Sequence, residues 1–153
     1  MKTILTVFGW AEMGKTSSLK YLAEEFGYEF TSKPWDIFHI IDYKGHLIGI
    51  ASAGDPGSSQ KDNIDKMIEA GCDVIVCASR TKGWTKDNVI KAAGENGYRL
   101  IWTSHYSVDN PSLQKLGKTP EEINMQNYMF DKEFAKNIKS LIDNILLVRP
   151  NNF

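Results

Sequence analysis

Cysteine, proline, long apolar runs and charge of one sign are all scarce in this chain, and each scarcity excludes a class. Two cysteines in 153 residues cannot staple a small disulfide scaffold. Cys72 and Cys77 lie five apart, which is not a usual zinc spacing. Both sit in or beside an apolar run, so we read them as plain buried thiols in a reducing cytoplasm. Five prolines and 12 glycines are too few for a collagen-like or low-complexity chain. The longest apolar runs, such as 74–78 and 145–148, fall far short of the ~20 residues that span a bilayer. The start of the chain, with Thr3 and Thr6 interrupting it, does not read as a secretory leader. We therefore expect a cytoplasmic protein with no membrane partner. Eighteen basic residues face 19 acidic ones, so there is no strong nucleic-acid signal.

What is present is the material of a globule. Hydrophobic residues make up 42% and charged residues 24%, values that exclude disorder over most of the length. The length suits a single domain, 1–153. Residues 2–8 read as a short buried strand. Leu19, Leu22, Ala23 and Phe26 then recur at helical spacing up to Gly27. Residues 36–43 and 46–52 are two strand-like runs joined at Lys44-Gly45. So short a link permits only an antiparallel hairpin.

Beyond a turn at 53–57, Ser58 or Ser59 is expected to cap a helix carrying Ile64, Met67 and Ile68. Residues 73–78 read as the clearest buried strand. Thr85 is the expected cap of a helix carrying Val89, Ile90 and Ala93. A strand follows at 99–103, then a loop of about fifteen residues, 104–118, of the length used for functional lids. Thr119-Pro120-Glu121-Glu122 opens a last helix with Phe130, Phe134, Ile138, Leu141 and Ile145 as its stripe, broken somewhere between Asn124 and Asp131. Trp35, Trp84 and Trp102 are read as packing residues. The alternation predicts an α/β three-layer sandwich, a mostly parallel five-stranded sheet with one antiparallel strand.

One segment carries chemistry. Residues 9–16 are Gly9, Trp10, Ala11, Glu12, Met13, Gly14, Lys15 and Thr16, followed by Ser17. Two glycines at this spacing let successive backbone N–H groups face one anion. A helix N-terminus adds further donors. Lys15 can reach terminal phosphates as a point charge, and the Thr16 hydroxyl can take Mg²⁺. From residue frequencies, the four fixed positions arise by chance in roughly one chain of this length in two hundred.

This pattern is Walker A, GWAEMGKT, and it resembles the P-loop containing nucleoside triphosphate hydrolase superfamily. The resemblance is tight over eight residues, and the α/β order elsewhere is compatible with it. It implies a nucleoside triphosphate with Mg²⁺ at the end of the first strand, cradled by residues 9–17. It also implies a second carboxylate for the metal, at the end of an apolar strand. Asp42 and Asp55 compete for that role. An antiparallel first hairpin strand would point Asp42 away from the loop, whereas a parallel second strand would deliver Asp55 to it. We therefore favour Asp55, against its reading as an Asp-Pro-Gly turn former.

The hairpin and turn also resemble the switch region of GTPases. Ala51 stands where an Asp would precede Gly54, however, and the stretches 81–84 and 85–88 lack the guanine-reading Asp. ATP is accordingly the expected nucleotide. Arg80 and Lys82 follow the strand 73–78 and could face a phosphate; a solvated basic loop is the bland alternative. His105 could move a proton, while His39 and His46 read as structural.

Three functions remain open on the sequence. The first is a small ATP-dependent phosphotransferase with Lys15, Arg80 and Asp55 as its catalytic groups. The second is an ATPase or nucleotide-dependent switch acting on a protein partner. The third is a passive nucleotide-binding module. Under the first, the phosphoryl acceptor is not specified.

Overall fold

The β-branched run TILTVF forms strand β1 (Thr3–Phe8). The computed structural model describes residues 2–9, 15–104 and 109–147. Helix α1 (Lys15–Glu25) follows, then the hairpin of β2 (Phe38–Tyr43) and β3 (His46–Ala51). Its two-residue turn places both Lys44 and Gly45 at positive φ, 54° and 81°, the twist that suits a tight hairpin. Next come α2 (Gln60–Glu69), β4 (Val74–Ser79), α3 (Trp84–Asn96) and β5 (Arg99–Ser104). Two helices end the described chain, α4 (Asn110–Lys115) and α5 (Pro120–Leu147).

The five strands form one sheet in the order β2-β3-β4-β1-β5. β3, β4, β1 and β5 are parallel, and only β2 runs against its neighbour. Strand alternation divides the core in two. Leu5, Val7, Val74 and Val76 face α1 and α5, while Ile4, Ile75 and Cys77 face α2 and α3. The chain thus crosses from β1 to β3 over one face and returns from β3 to β4 and β5 over the other. A single hand of crossover requires this reversal. β4 sits at the centre, buried along its whole length.

Several local expectations are revised. The 104–118 stretch is not all loop: Asp109 caps α4 by accepting from the Ser112 N–H at 3.0 Å, and Pro111 occupies its first turn. The helix expected to be capped by Thr85 has Gly83 in the cap position and begins at Trp84, and Thr85 is buried with a different task, described below. α2 does start after Ser59, but the Ser59 side chain makes no capping bond. Trp84 is 80% exposed, and Trp35 is exposed with the Lys33 ammonium over its ring, so neither packs in the core. Trp102 meets Phe8 edge-on at 5.5 Å but remains partly exposed.

α5 runs unbroken for 28 residues. Its capping box forms as expected, with Thr119 and Glu122 exchanging side chain to backbone bonds of 3.2 Å each. Of its expected stripe, Ile138 and Ile145 are buried and Phe134 and Leu141 pack partly buried on the same core, but Phe130 is exposed, and the buried line Asp131, Ala135, Ile138, Ile142 and Ile145 leads the inward face. The alternating spacing of four and three is that of a seam between two nearly aligned helices, here α5 against α1. Ile142 is fully buried in that seam, so Ile142→Ala should cost ~2–4 kcal/mol in urea unfolding. Phe130→Ala should cost less than ~1 kcal/mol. Equal losses would contradict this orientation of α5.

Candidate functional site

The carboxyl ends of β1 and β4 flank the place where the crossovers part to opposite faces of the sheet. In open α/β sheets such a point leaves a crevice at the carboxyl ends of the strands. The ends of the two strands are stitched by backbone: the Gly9 N–H donates to the Ser79 carbonyl at 3.1 Å. Lys15 reaches the same spot from the first turn of α1. Its ammonium donates to the Gly9 carbonyl at 2.6 Å and to the Ser79 carbonyl at 3.2 Å. Lys15 is only 7% exposed, and burial holds its pKa below the ordinary lysine range. The Asp55 carboxylate opposes that shift, and the Arg80 guanidinium adds to it. Thr16 and Ser17, both half-buried, lie beside Lys15 in α1's first turn.

Strand polarity separates the two carboxylates weighed from the sequence. β2 is antiparallel to β3, and Asp42 pairs with Leu47 near the hairpin turn, at the far end of the sheet. Asp55 lies beyond the carboxyl end of β3. Arg80 donates through Nε to Asp55 Oδ1 at 2.8 Å, joining the loops after β3 and β4. Lys82 is exposed in the same loop. The structure thus brings Gly9, Lys15, Asp55 and Arg80 to one edge. Trp10, Ala11, Glu12, Met13, Gly14 and His105 lie outside the described residues.

The backbone around these side chains is firmly held. The Arg80 N–H donates to Thr85 Oγ1 at 3.0 Å. Gln60, buried at the start of α2, donates from Nε2 to the carbonyls of Ala78 and Thr85, both at 2.9 Å. The Asn88 amide in turn donates to Gln60 Oε1 at 3.3 Å. Gly54 presses so closely on β4 that a Cβ there would sit 2.8 Å from the Ala78 backbone. Only glycine permits this approach of the β3 loop to the end of β4. On the outer strand pair, Ser52 Oγ accepts from the Ile37 N–H at 2.8 Å and donates to Asp36 at 2.9 Å.

Other titratable groups stand apart. Burial pushes the Cys77 thiol up to about 12 and Cys72 to about 11, so neither is a thiolate at neutral pH. His39 stacks on Tyr28, and burial lowers its pKa. His46 lies 3.4 Å from Asp73 at the start of β3, away from the crevice. Among the described residues no helix is long and apolar enough to cross a membrane.

Sequence reasoning passed over Gln60 and gave Thr85 the wrong role. Neither contacts solvent freely, and both act on the loop that carries Arg80. No known protein family, curated protein or solved structure matches the chain. Its reading therefore rests on the geometry above.

Gln60 supplies a direct check on that geometry. Gln60→Leu keeps the volume but withdraws both donors from the Ala78 and Thr85 carbonyls. It should destabilise the protein by about 1–3 kcal/mol in urea unfolding, the cost of leaving buried polar groups unpaired. An unchanged midpoint would mean that the amide does not hold the β4 loop.

Proposed function

We propose that the protein binds Mg·ATP at the β1/β4 crevice and transfers its terminal phosphoryl group. The observation that carries this reading is Lys15: a buried ammonium on the first turn of a helix, held at the carboxyl edge of a parallel sheet by the carbonyls of Gly9 and Ser79. A cation kept there at a desolvation cost is suited to an anion that repays it. Residues 9–17 would supply backbone donors and the helix N-terminus for the phosphates.

The residues also suit Mg²⁺. Among those described, no group of three or more His, Cys, Asp or Glu side chains could hold a metal alone. Mg²⁺ commonly takes one or two protein oxygens and completes its shell with phosphate and water. The Thr16 hydroxyl and Asp55 carboxylate are that kind of donor set. The cation would neutralise charge on the phosphates, while Lys15 and Arg80 would stabilise charge developing in transfer. The acceptor stays open in this reading.

A second reading is a nucleotide-dependent ATPase or switch. The turn at 55–59 favours it, because all five residues are exposed and Asp55 heads them. Such a turn could order around a terminal phosphate and present it to a protein partner.

Calorimetry with Mg·ATP tests the common core. The unmodified protein should bind, and Lys15→Ala should weaken binding by ~1.5–3 kcal/mol, the worth of a charge-assisted hydrogen bond. No binding by the unmodified protein would end the nucleotide reading. Asp55→Asn should blunt the effect of Mg²⁺ on affinity far more than Asp42→Asn, because Asp42 lies at the opposite end of the sheet. The reverse order would remove Asp55 from the metal. For phosphoryl transfer itself, Arg80→Ala should slow turnover by ~10²-fold, within the range for losing one electrostatic stabiliser. Little change in turnover would favour the switch.

A further inference from the structure

We propose that Asp55 and Arg80 exchange partners when a metal–triphosphate enters the crevice, the guanidinium moving to phosphate oxygens and the carboxylate to the cation. The proposal rests on the phosphate reading above and adds a coupling to it: the cation recruits the arginine by withdrawing its counter-ion.

The geometry carries this in three steps. First, the pair is accessible and held by one bond. Arg80 Nε donates to Asp55 Oδ1 at 2.8 Å, with the two side chains 35% and 62% exposed. An exposed ion pair of this kind is worth at most about fivefold in an equilibrium constant. A charge-assisted bond to a phosphate is worth roughly ten- to a hundredfold, so phosphate outcompetes the carboxylate for the guanidinium.

Second, the backbones beneath the pair are fixed. Thr85 Oγ1 takes the Arg80 N–H, Gln60 ties Ala78 to Thr85, and Gly54 abuts Ala78. The exchange is therefore a rotation of two side chains on a rigid frame. It needs no loop rearrangement.

Third, both charges already act on Lys15, Asp55 favouring its protonated form and Arg80 opposing it. The pair is thus within electrostatic reach of the group that would bind phosphate. While Asp55 holds Arg80, it also places a negative charge against any incoming anion. A divalent cation removes both obstacles together.

Calorimetry with inorganic triphosphate, in EDTA and in Mg²⁺, tests the exchange on five forms: unmodified, Asp55→Asn, Arg80→Gln, the double variant and Lys15→Ala. Both side chains are exposed, and circular dichroism melts verify that each variant folds. In EDTA, Asp55→Asn should bind triphosphate up to about fivefold tighter than the unmodified protein, because Arg80 is free from the start. Most of that gain should vanish in the Arg80→Gln background. Mg²⁺ should strengthen binding by the unmodified protein far more than by Asp55→Asn. An Asp55→Asn gain of equal size with and without Arg80 would mean simple charge repulsion, and would overturn the exchange. So would the lack of any gain. Triphosphate binding that ignores Lys15→Ala would overturn the phosphate reading itself. Binding that depends on Lys15 but shows an additive Asp55–Arg80 cycle would overturn the exchange alone.

Discussion

A buried ammonium must find acceptors, and the acceptors available to Lys15 dictate how the first and fourth strands meet. Its two partners are the carbonyls of Gly9 and Ser79, from the ends of β1 and β4. The Ser79 carbonyl also takes the Gly9 N–H. These bonds form only if β1 lies directly beside β4 with parallel polarity and matched ends, as the register from Thr3–Val74 to Phe8–Ser79 provides. With β4 lying between β1 and β3, the chain leaves β1 over one face and comes back over the other, and such a switch point is where open α/β sheets bind ligands. The cation and the topology are one constraint seen at two scales.

The same end of β4 carries the rest of the arrangement. Three separate contacts converge within two residues of Ser79: Gly54 against Ala78, the Gln60 amide on the Ala78 carbonyl, and Thr85 on the Arg80 N–H. Each comes from a different loop or helix. Their joint effect is to fix the end of β4 and the Arg80 backbone while the Arg80 side chain stays partly exposed. A site built this way has little backbone reorganisation to undergo when charge arrives, and electrostatic stabilisation depends on that preorganisation.

Much of this was legible in the sequence, and the reasons for the remainder are specific. Strand periodicity gave all five strands, and the brevity of Lys44-Gly45 gave the one antiparallel pair. That pair alone separates Asp42 from Asp55. Thr119 and Glu122 announced their capping box. The face of α5 was half legible: Ile138, Ile145, Phe134 and Leu141 do pack on the core, but the most buried line includes a carboxylate, Asp131. Asp131 is tolerated in the seam with Ser18 Oγ donating to it at 3.4 Å, a partner 113 residues away that local pattern cannot reveal. α4 was hidden because six residues are too few for a periodic signal. Trp84 was misread because size alone suggested burial, while its place at the very start of α3 leaves it facing solvent.

A regularity links the residues that were found to those that were missed. In α1, Lys15 stands four and seven residues before Leu19 and Leu22 of the core stripe. In α2, Gln60 stands four and seven before Ile64 and Met67. In α3, Thr85 stands four and seven before Val89 and Ala92. All nine of these residues are buried. Each helix therefore ends its apolar stripe, at the sheet's carboxyl edge, in one polar side chain held in register with the core. The register explains why those groups are buried, and burial explains why each must bond to a neighbouring loop. Lys15 bonds to Gly9 just past β1 and to the end of β4, Gln60 to the end of β4 and to α3, and Thr85 to the loop of Arg80. The crevice is in this sense an extension of the hydrophobic core, its polar floor set by the same helical spacing that packs the layers. A polar residue falling on an apolar stripe in the first turn of a helix is then a sequence signal in its own right. Here it identifies Gln60 and Thr85 as readily as the glycine spacing identifies Lys15.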